Sequence, residues 1–103
     1  MTGAGVKASD KWLNLLGNDR EIDLNGFVVE ADDGAAGRIE QVLYWSDARV
    51  PDYVVVETGG WLFGHRSVLP VNTIEHVDRE NKSLKICLSK RQIREAPEFL
   101  PVT

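Results

Sequence analysis

Short apolar segments separated by turn residues dominate the chain from residue 27 onward. The segments are rich in β-branched and aromatic residues, which favours strands, and they cover 27–31, 38–45, 52–58 and 61–70. Asp32-Asp33-Gly34 and Gly59-Gly60 lie between them. These residues tolerate the backbone conformations of tight hairpins, so both positions are predicted to be turns, as is the stretch 46–52 with its proline.

The C-terminal third predicts two further strands and a helix. Asn72 to Asp78 alternates imperfectly, which indicates a bulged strand, whereas 84–88 alternates cleanly between apolar and polar positions. Ser89 and Gln92 have the spacing of a capping box. The pattern therefore predicts a short helix from Ser89 that ends before Pro97.

The N-terminal region predicts one more helix. Ser9 and Asp10 suit a helix cap, and four apolar residues follow at helical spacing: Trp12, Leu13, Leu15 and Leu16. A helix of barely two turns is not stable alone in water, so it must pack against something. We accordingly divide the chain into a flexible lead with a short helix, 1–23, and a single β domain, 24–103.

Five or six short strands at about ten-residue spacing predict a small barrel or sandwich. We expect a six-stranded, mainly antiparallel β-barrel with a short helix at each end. Five apolar side chains should fill its core: Val54, Val56, Leu84, Ile86 and Leu88. Tyr53 and Val55 alternate with Val54 and Val56 and point the other way. Such strands are apolar on both faces, so they need cover outside the barrel as well as a core inside.

Composition agrees with a globular protein. The chain has 103 residues, 43% of them apolar, and a net charge of −4. No apolar run approaches the ~20 residues of a membrane helix, so we expect no membrane insertion. The N-terminus lacks an apolar signal core, Thr2 does not fit myristoylation, and Cys87 is the single cysteine. These features predict a cytoplasmic protein.

Candidate catalytic residues are few. His65 and Ser67 share one face of a predicted strand, Glu57 lies on the neighbouring strand, and His76 lies on another. No nucleophile-elbow motif surrounds a serine. A histidine at the rim of the sheet is the more common reading of His65, so no catalytic residue is predicted.

Metal and phosphate sites are not predicted either. Cys87, His65 and His76 lack the close pair spacing of metal ligands, and the acidic group around Asp32 does not match a calcium loop. Gly59, Gly60 and Gly64 are not followed by the Lys-Ser/Thr of a phosphate loop. We therefore expect no metal and no cofactor.

Two tracts of opposite charge are more informative. Residues 19–33 carry a net charge of −5, and residues 79–94 carry +5. The basic tract, with Lys82, Lys85 and Arg91, could contact an acidic protein or RNA. A solvated surface is the alternative and the favoured interpretation, because no aromatic residue for base stacking lies within that tract.

Several segments together resemble the PRC-barrel family, the fold of the photosynthetic reaction-centre H subunit and of the ribosome-maturation factor RimM. They are LNGFVVEADDGAAGRIEQVLYW (24–45), YVVVETGGWLFGHRSVLPV (53–71) and KRQIREAPEF (90–99). We expect no counterpart here of the separate N-terminal domain of RimM or of the membrane-anchored context of the H subunit. The resemblance implies a small β-barrel without catalytic residues that serves as a protein-interaction module.

The expected function is therefore assembly with itself or with an unidentified protein partner. We expect a homodimer or larger homo-oligomer, in which the two charged tracts could pair across the interface. An RNA- or ribosome-associated role that uses 79–94 is the alternative. The expected interaction surface comprises Trp12, Leu16, Trp61, Phe63, Lys82, Lys85 and Arg91.

Overall fold

The computed structural model describes residues 23–44, 51–59 and 64–99. Within them the chain forms six strands: β1 (Val28–Ala31), β2 (Gly34–Leu43), β3 (Tyr53–Thr58), β4 (His65–Pro70), β5 (Ile74–Asp78) and β6 (Ser83–Ile86). A 3-10 turn (Val71–Thr73) joins β4 to β5, and helix α1 (Lys90–Glu95) follows β6. The predicted helix around Trp12 lies outside the described residues, as do Trp61 and Phe63.

The strands form one mixed sheet with the order β4-β3-β2-β1-β6-β5. Every neighbouring pair is antiparallel except β1 and β6, which run parallel and place Val29 opposite Leu84. The prediction of a mainly β, mostly antiparallel domain with six strands is confirmed.

The prediction of a closed barrel is wrong, because β4 and β5 are the two edges of the sheet and do not pair with each other. The edge of β4 that a closing strand would need is already occupied by the chain itself. Val68 N–H donates to Pro97 O, and Phe99 N–H donates to Arg66 O, both at 2.8 Å. Residues Pro97–Phe99, which we call the edge segment, thus take the place of β5 beside β4.

The open sheet is nevertheless strongly curved. In a flat sheet its two edges would lie about 24 Å apart, at about 4.8 Å per strand. Pro70 ends β4 and Ile74 begins β5, and four residues reach at most about 14 Å. The 3-10 turn therefore holds the end of β4 close to the start of β5, although the two strands run in the same direction along the sheet, so the sheet curls around its inner face.

The inner face encloses a single apolar core to which all six strands and α1 contribute. Its members are Leu24, Phe27, Val29, Ala31, Ile39, Val54, Val56, Leu69, Val71, Ile74, Leu84, Ile86 and Ile93. Four of the five predicted core residues are buried, but Leu88 is only partly buried because β6 ends at Ile86. Val55 is also fully buried, yet it lies outside this core on the opposite face of the sheet.

Local irregularities shape two of the strands. The predicted bulge in β5 is confirmed, since its register with β6 shifts between Ile74 and His76. Strand β2 begins at Gly34, four residues before the predicted start. The sequence analysis missed these residues because the small side chains at 34–37 show no alternation of apolar and polar positions. A Cβ atom at Gly37 would overlap the carbonyl oxygen of Glu57, so glycine is what lets β2 and β3 approach each other here.

Helix α1 is fixed at its first turn by the predicted capping box. Ser89 Oγ accepts a bond from Gln92 N–H at 3.1 Å, and Gln92 Oε1 accepts one from Ser89 N–H at 2.9 Å. Asp33 of the β1–β2 hairpin accepts a further bond from Lys90 N–H at 2.9 Å. Ile93 is fully buried, so α1 closes the core beside β2 and β4. No helix in the described ranges has the length and apolarity needed to cross a bilayer.

Candidate functional site

The two histidines lie on the two different edge strands of the sheet. His65 is on β4 and His76 is on β5, at opposite edges. Glu57 pairs with Arg66 and therefore lies on the face opposite to His65 and Ser67. The candidate catalytic group that the sequence suggested is therefore not assembled.

A different carboxylate lies beside His65. Glu98 of the edge segment places Oε2 at 3.8 Å from His65 Nδ1. Ser67, two residues along the same face, is fully buried and its Oγ has no hydrogen-bond partner in the described part of the chain. A nucleophile needs a bonded base and access to substrate, and Ser67 has neither. Sequence analysis missed Glu98 because only the long-range pairing of the edge segment brings it to His65.

The potential metal ligands have other surroundings. Cys87 is exposed, and its N–H donates to Thr73 O at 2.9 Å. The acidic turn contacts the basic part of the chain through Asp32 and Asp33. Over residues 23–44, 51–59 and 64–99, no three His, Cys, Asp or Glu side chains lie together as metal ligands would.

The two charged tracts meet within one chain. Lys85 Nζ lies 2.8 Å from Asp32 Oδ1 and 3.4 Å from Glu75 Oε1. The hydrogen bond to Asp32 is the main cause that raises the pKa of Lys85 above its ordinary value, with a smaller contribution from Glu75. Lys85 thus joins the β1–β2 turn and β5 to β6 within one molecule, whereas the sequence analysis had considered pairing of the two tracts between subunits.

The other two basic candidates lie on separate elements. Lys82 is in the β5–β6 turn with a φ of 52°, and its carbonyl accepts a bond from Val28 N–H at 2.9 Å. Arg91 is exposed on α1 and pairs with Glu95 one turn later at 3.1 Å. Lys82 therefore shapes a turn, and Arg91 forms an ion pair of small energetic value within its own helix. The four apolar candidates, Trp12, Leu16, Trp61 and Phe63, lie outside the described residues.

The outer face of β2, β3 and β4 carries an apolar surface that the sequence analysis had anticipated only in general terms. Tyr53 lies opposite Leu43, and Val55 lies opposite Val68. Because Val54 and Val56 point into the core, these four side chains share the outer face. We call them the outer patch: Leu43, Tyr53, Val55 and Val68. Val55 is 0% exposed, whereas Tyr53 is 39% exposed and Tyr44, just after β2, is 52% exposed.

Charged residues border the outer patch along the same strands. In the strand register, Glu57 of β3 lies opposite Arg38 of β2 and opposite Arg66 of β4. Arg66 Nε lies 2.6 Å from Glu40 Oε1, and this hydrogen-bonded contact raises the pKa of the Arg66 guanidinium above its ordinary value. The outer face thus divides into an apolar half and a half of alternating charge, a composition typical of a contact surface with a polar rim.

Comparison with known proteins adds no relatives, since no protein-family model matches the chain and no curated protein matches it significantly in sequence.

Proposed function

We propose that the protein is a non-catalytic assembly module of the PRC-barrel type that associates with copies of itself. The observation that carries this proposal is the outer patch. Val55 is already fully buried within the chain on the face opposite to the core, while Tyr53 on the same face remains 39% exposed and offers apolar surface to a partner. A second copy presenting the same face would cover this surface by two-fold symmetry.

The PRC-barrel part of the proposal rests on the three quoted segments. The architecture of the described residues is compatible with the resemblance. The sheet curls around one core, and residues 96–99, at the end of the segment KRQIREAPEF, lie against β4. In this reading the molecule is an open form of the barrel, with the edge segment beside β4 where a closed barrel would need another strand.

The non-catalytic part is supported by the placement of the polar residues. Ser67 is enclosed in the sheet, and the histidines lie on opposite edges. The RNA-associated alternative is less favoured, because Lys85 at the centre of the basic tract already contacts two carboxylates and Arg91 contacts a third.

Light scattering on the full chain tests self-association. We expect a mass above that of one chain at micromolar concentration, and a shift toward the monomer when Tyr53 is changed to serine. His76→Ser removes an exposed ring from the opposite edge of the sheet and should leave the mass unchanged. A strict monomer at high micromolar concentration would overturn the proposal.

A second pair of variants tests the apolar positions near the N-terminus. Trp12→Ala with Leu16→Ala should weaken association if that segment contributes to the interface, and Lys11→Ala with Asn14→Ala is the matched control on polar positions. For the RNA alternative, the combined charge reversal K82E, K85E and R91E should abolish any binding that weakens steeply with added salt.

A further inference from the structure

Three polar side chains lie on the core face of the sheet, where β3 ends and β4 begins. Thr58 lies opposite His65, and Ser67 lies opposite Val56, a core residue. Side chains two residues apart on a strand share a face, so Thr58, His65 and Ser67 all belong to the inner face. Thr58 and Ser67 are buried, and the side chain of His65 is 31% exposed.

Two polar atoms of this group are buried without a partner. Neither Ser67 Oγ nor His65 Nε2 has a hydrogen-bond partner in the described part of the chain. Leaving a buried polar group unpaired destabilises the folded protein, and native proteins rarely tolerate it. Two such atoms on one face of one strand point to a shared missing partner.

The chemistry of the neighbours indicates which partner fits. Glu98 Oε2 lies 3.8 Å from Nδ1, beyond hydrogen-bond range, and its negative charge favours the tautomer of neutral His65 that carries its proton on Nδ1 and leaves Nε2 as an acceptor. Ser67 has an O–H to donate. Thr58 Oγ1 donates to His65 O at 3.4 Å and keeps lone pairs free to accept. The three side chains therefore need one hydrogen-bond acceptor, for the Ser67 hydroxyl, and up to two donors, for His65 Nε2 and Thr58 Oγ1.

We propose that Thr58, His65 and Ser67 form the binding site of one internal water molecule. The water accepts the hydrogen bond of Ser67 and donates its two hydrogens to His65 Nε2 and Thr58 Oγ1. Three hydrogen bonds are the usual number for a buried water. Such a water would join β3 and β4 through side chains near Arg66, where the edge segment ends at Phe99.

The unmodified full chain provides the first test. Magnetic relaxation dispersion of water nuclei detects internal waters that exchange slowly with solvent, and we expect one such contribution that is lost in Ser67→Ala. Ser83→Ala, at a half-buried strand position on β6, is the matched control and should retain it. A wild-type protein without a long-lived water, or a Ser67→Ala variant that keeps it, would overturn the proposal.

The ring nitrogens of His65 provide a second readout that does not depend on stability. We expect the nitrogen-15 shifts to report a proton on Nδ1 and a hydrogen-bonded Nε2, and we expect the Nε2 signal to move in Ser67→Ala and in Thr58→Val. The Ser83→Ala variant should leave it in place. An Nε2 signal that shows no hydrogen bond in the wild-type protein contradicts a bound water.

Discussion

The two edges of the sheet handle unpaired backbone groups in different ways. Strand β4 is paired along its outer side by the edge segment, whose bonds to Val68 and Arg66 continue the ladder by one short bridge. Strand β5 has no further strand beside it among the described residues. It is five residues long, its register shifts at Glu75, and it exposes Glu75 and His76.

The difference follows from what each edge strand contributes to the fold. β4 pairs with β3 without a register shift and includes buried Ser67 and Leu69, so it forms a regular edge that another chain could extend. β5 is short, bulged and charged, and these features themselves discourage pairing. The edge segment covers one edge of the sheet, and charged residues lie on the other. The open sheet is therefore protected from pairing with other chains without closing into a barrel.

The largest expected effect on the free energy of unfolding comes from an aspartate placed in the core beside β4. An aspartate on the exposed side of β5 is the comparison. Val56→Asp buries an unpaired charge at a fully enclosed position and should cost more than about 4 kcal/mol, enough to unfold a domain of this size. His76→Asp introduces the same residue on β5 and should change the free energy of unfolding by less than about 0.5 kcal/mol. Thermal melts of both variants decide this, and a cooperatively melting Val56→Asp protein would contradict the assigned core.

An intermediate effect is expected at the covered edge. Phe99→Pro removes the N–H that bonds to Arg66 O and should cost about 0.5–1.5 kcal/mol for that bond, in addition to the loss of the ring. Hydrogen exchange at the Val68 amide, which donates to Pro97, should accelerate and aggregation should increase. Glu98→Ala keeps every backbone donor of the edge segment and is the control. Unchanged exchange at Val68 would show that the edge segment does not protect β4.

The smallest effect concerns the end of β5. Hydrogen bonds from the side chain and backbone of Asn81 lower the pKa of the Asp78 carboxyl below its ordinary value of 3.8. The carboxylate therefore stabilises the folded turn above that value, and this contribution is lost as the pH falls through the lowered pKa. In an NMR titration, Asn81→Ala should move the pKa of Asp78 back upward, because the side-chain bond is removed and the backbone bond remains. A titration midpoint that does not move would show that this turn is not held by the Asp78 carboxylate.

Local patterns in the sequence were sufficient for the elements that rest on neighbouring residues. The capping box of Ser89 and Gln92 predicted the start of α1, and the alternation around Leu84 predicted β6. The imperfect alternation near Glu75 predicted a bulge. In each case the signal and the structure lie within a few residues of each other.

The features that sequence analysis missed depend on contacts between distant residues. The sequence analysis ended the helix before Pro97 and predicted no strand pairing for the edge segment, whose pairing with β4 occupies that edge of the sheet and brings Glu98 to His65. Likewise, the two charged tracts could be counted from the sequence, but only the sheet order brings Lys85 to Asp32. The positions of these residues along the chain do not indicate that Glu98 lies near His65 or that Lys85 lies near Asp32.

The parallel pairing of β1 with β6 has a consequence for how the molecule is made. During synthesis β1 emerges early, yet the strand that completes its second side, β6, is among the last elements to appear. The hairpins of β2 with β1 and β3 can form as the chain grows, but Val29 and Leu84 must wait for nearly the whole domain. Such a distant pairing slows folding because a long loop must close first. Joining β1 to β6 is therefore expected to be the late, cooperative step that completes the core.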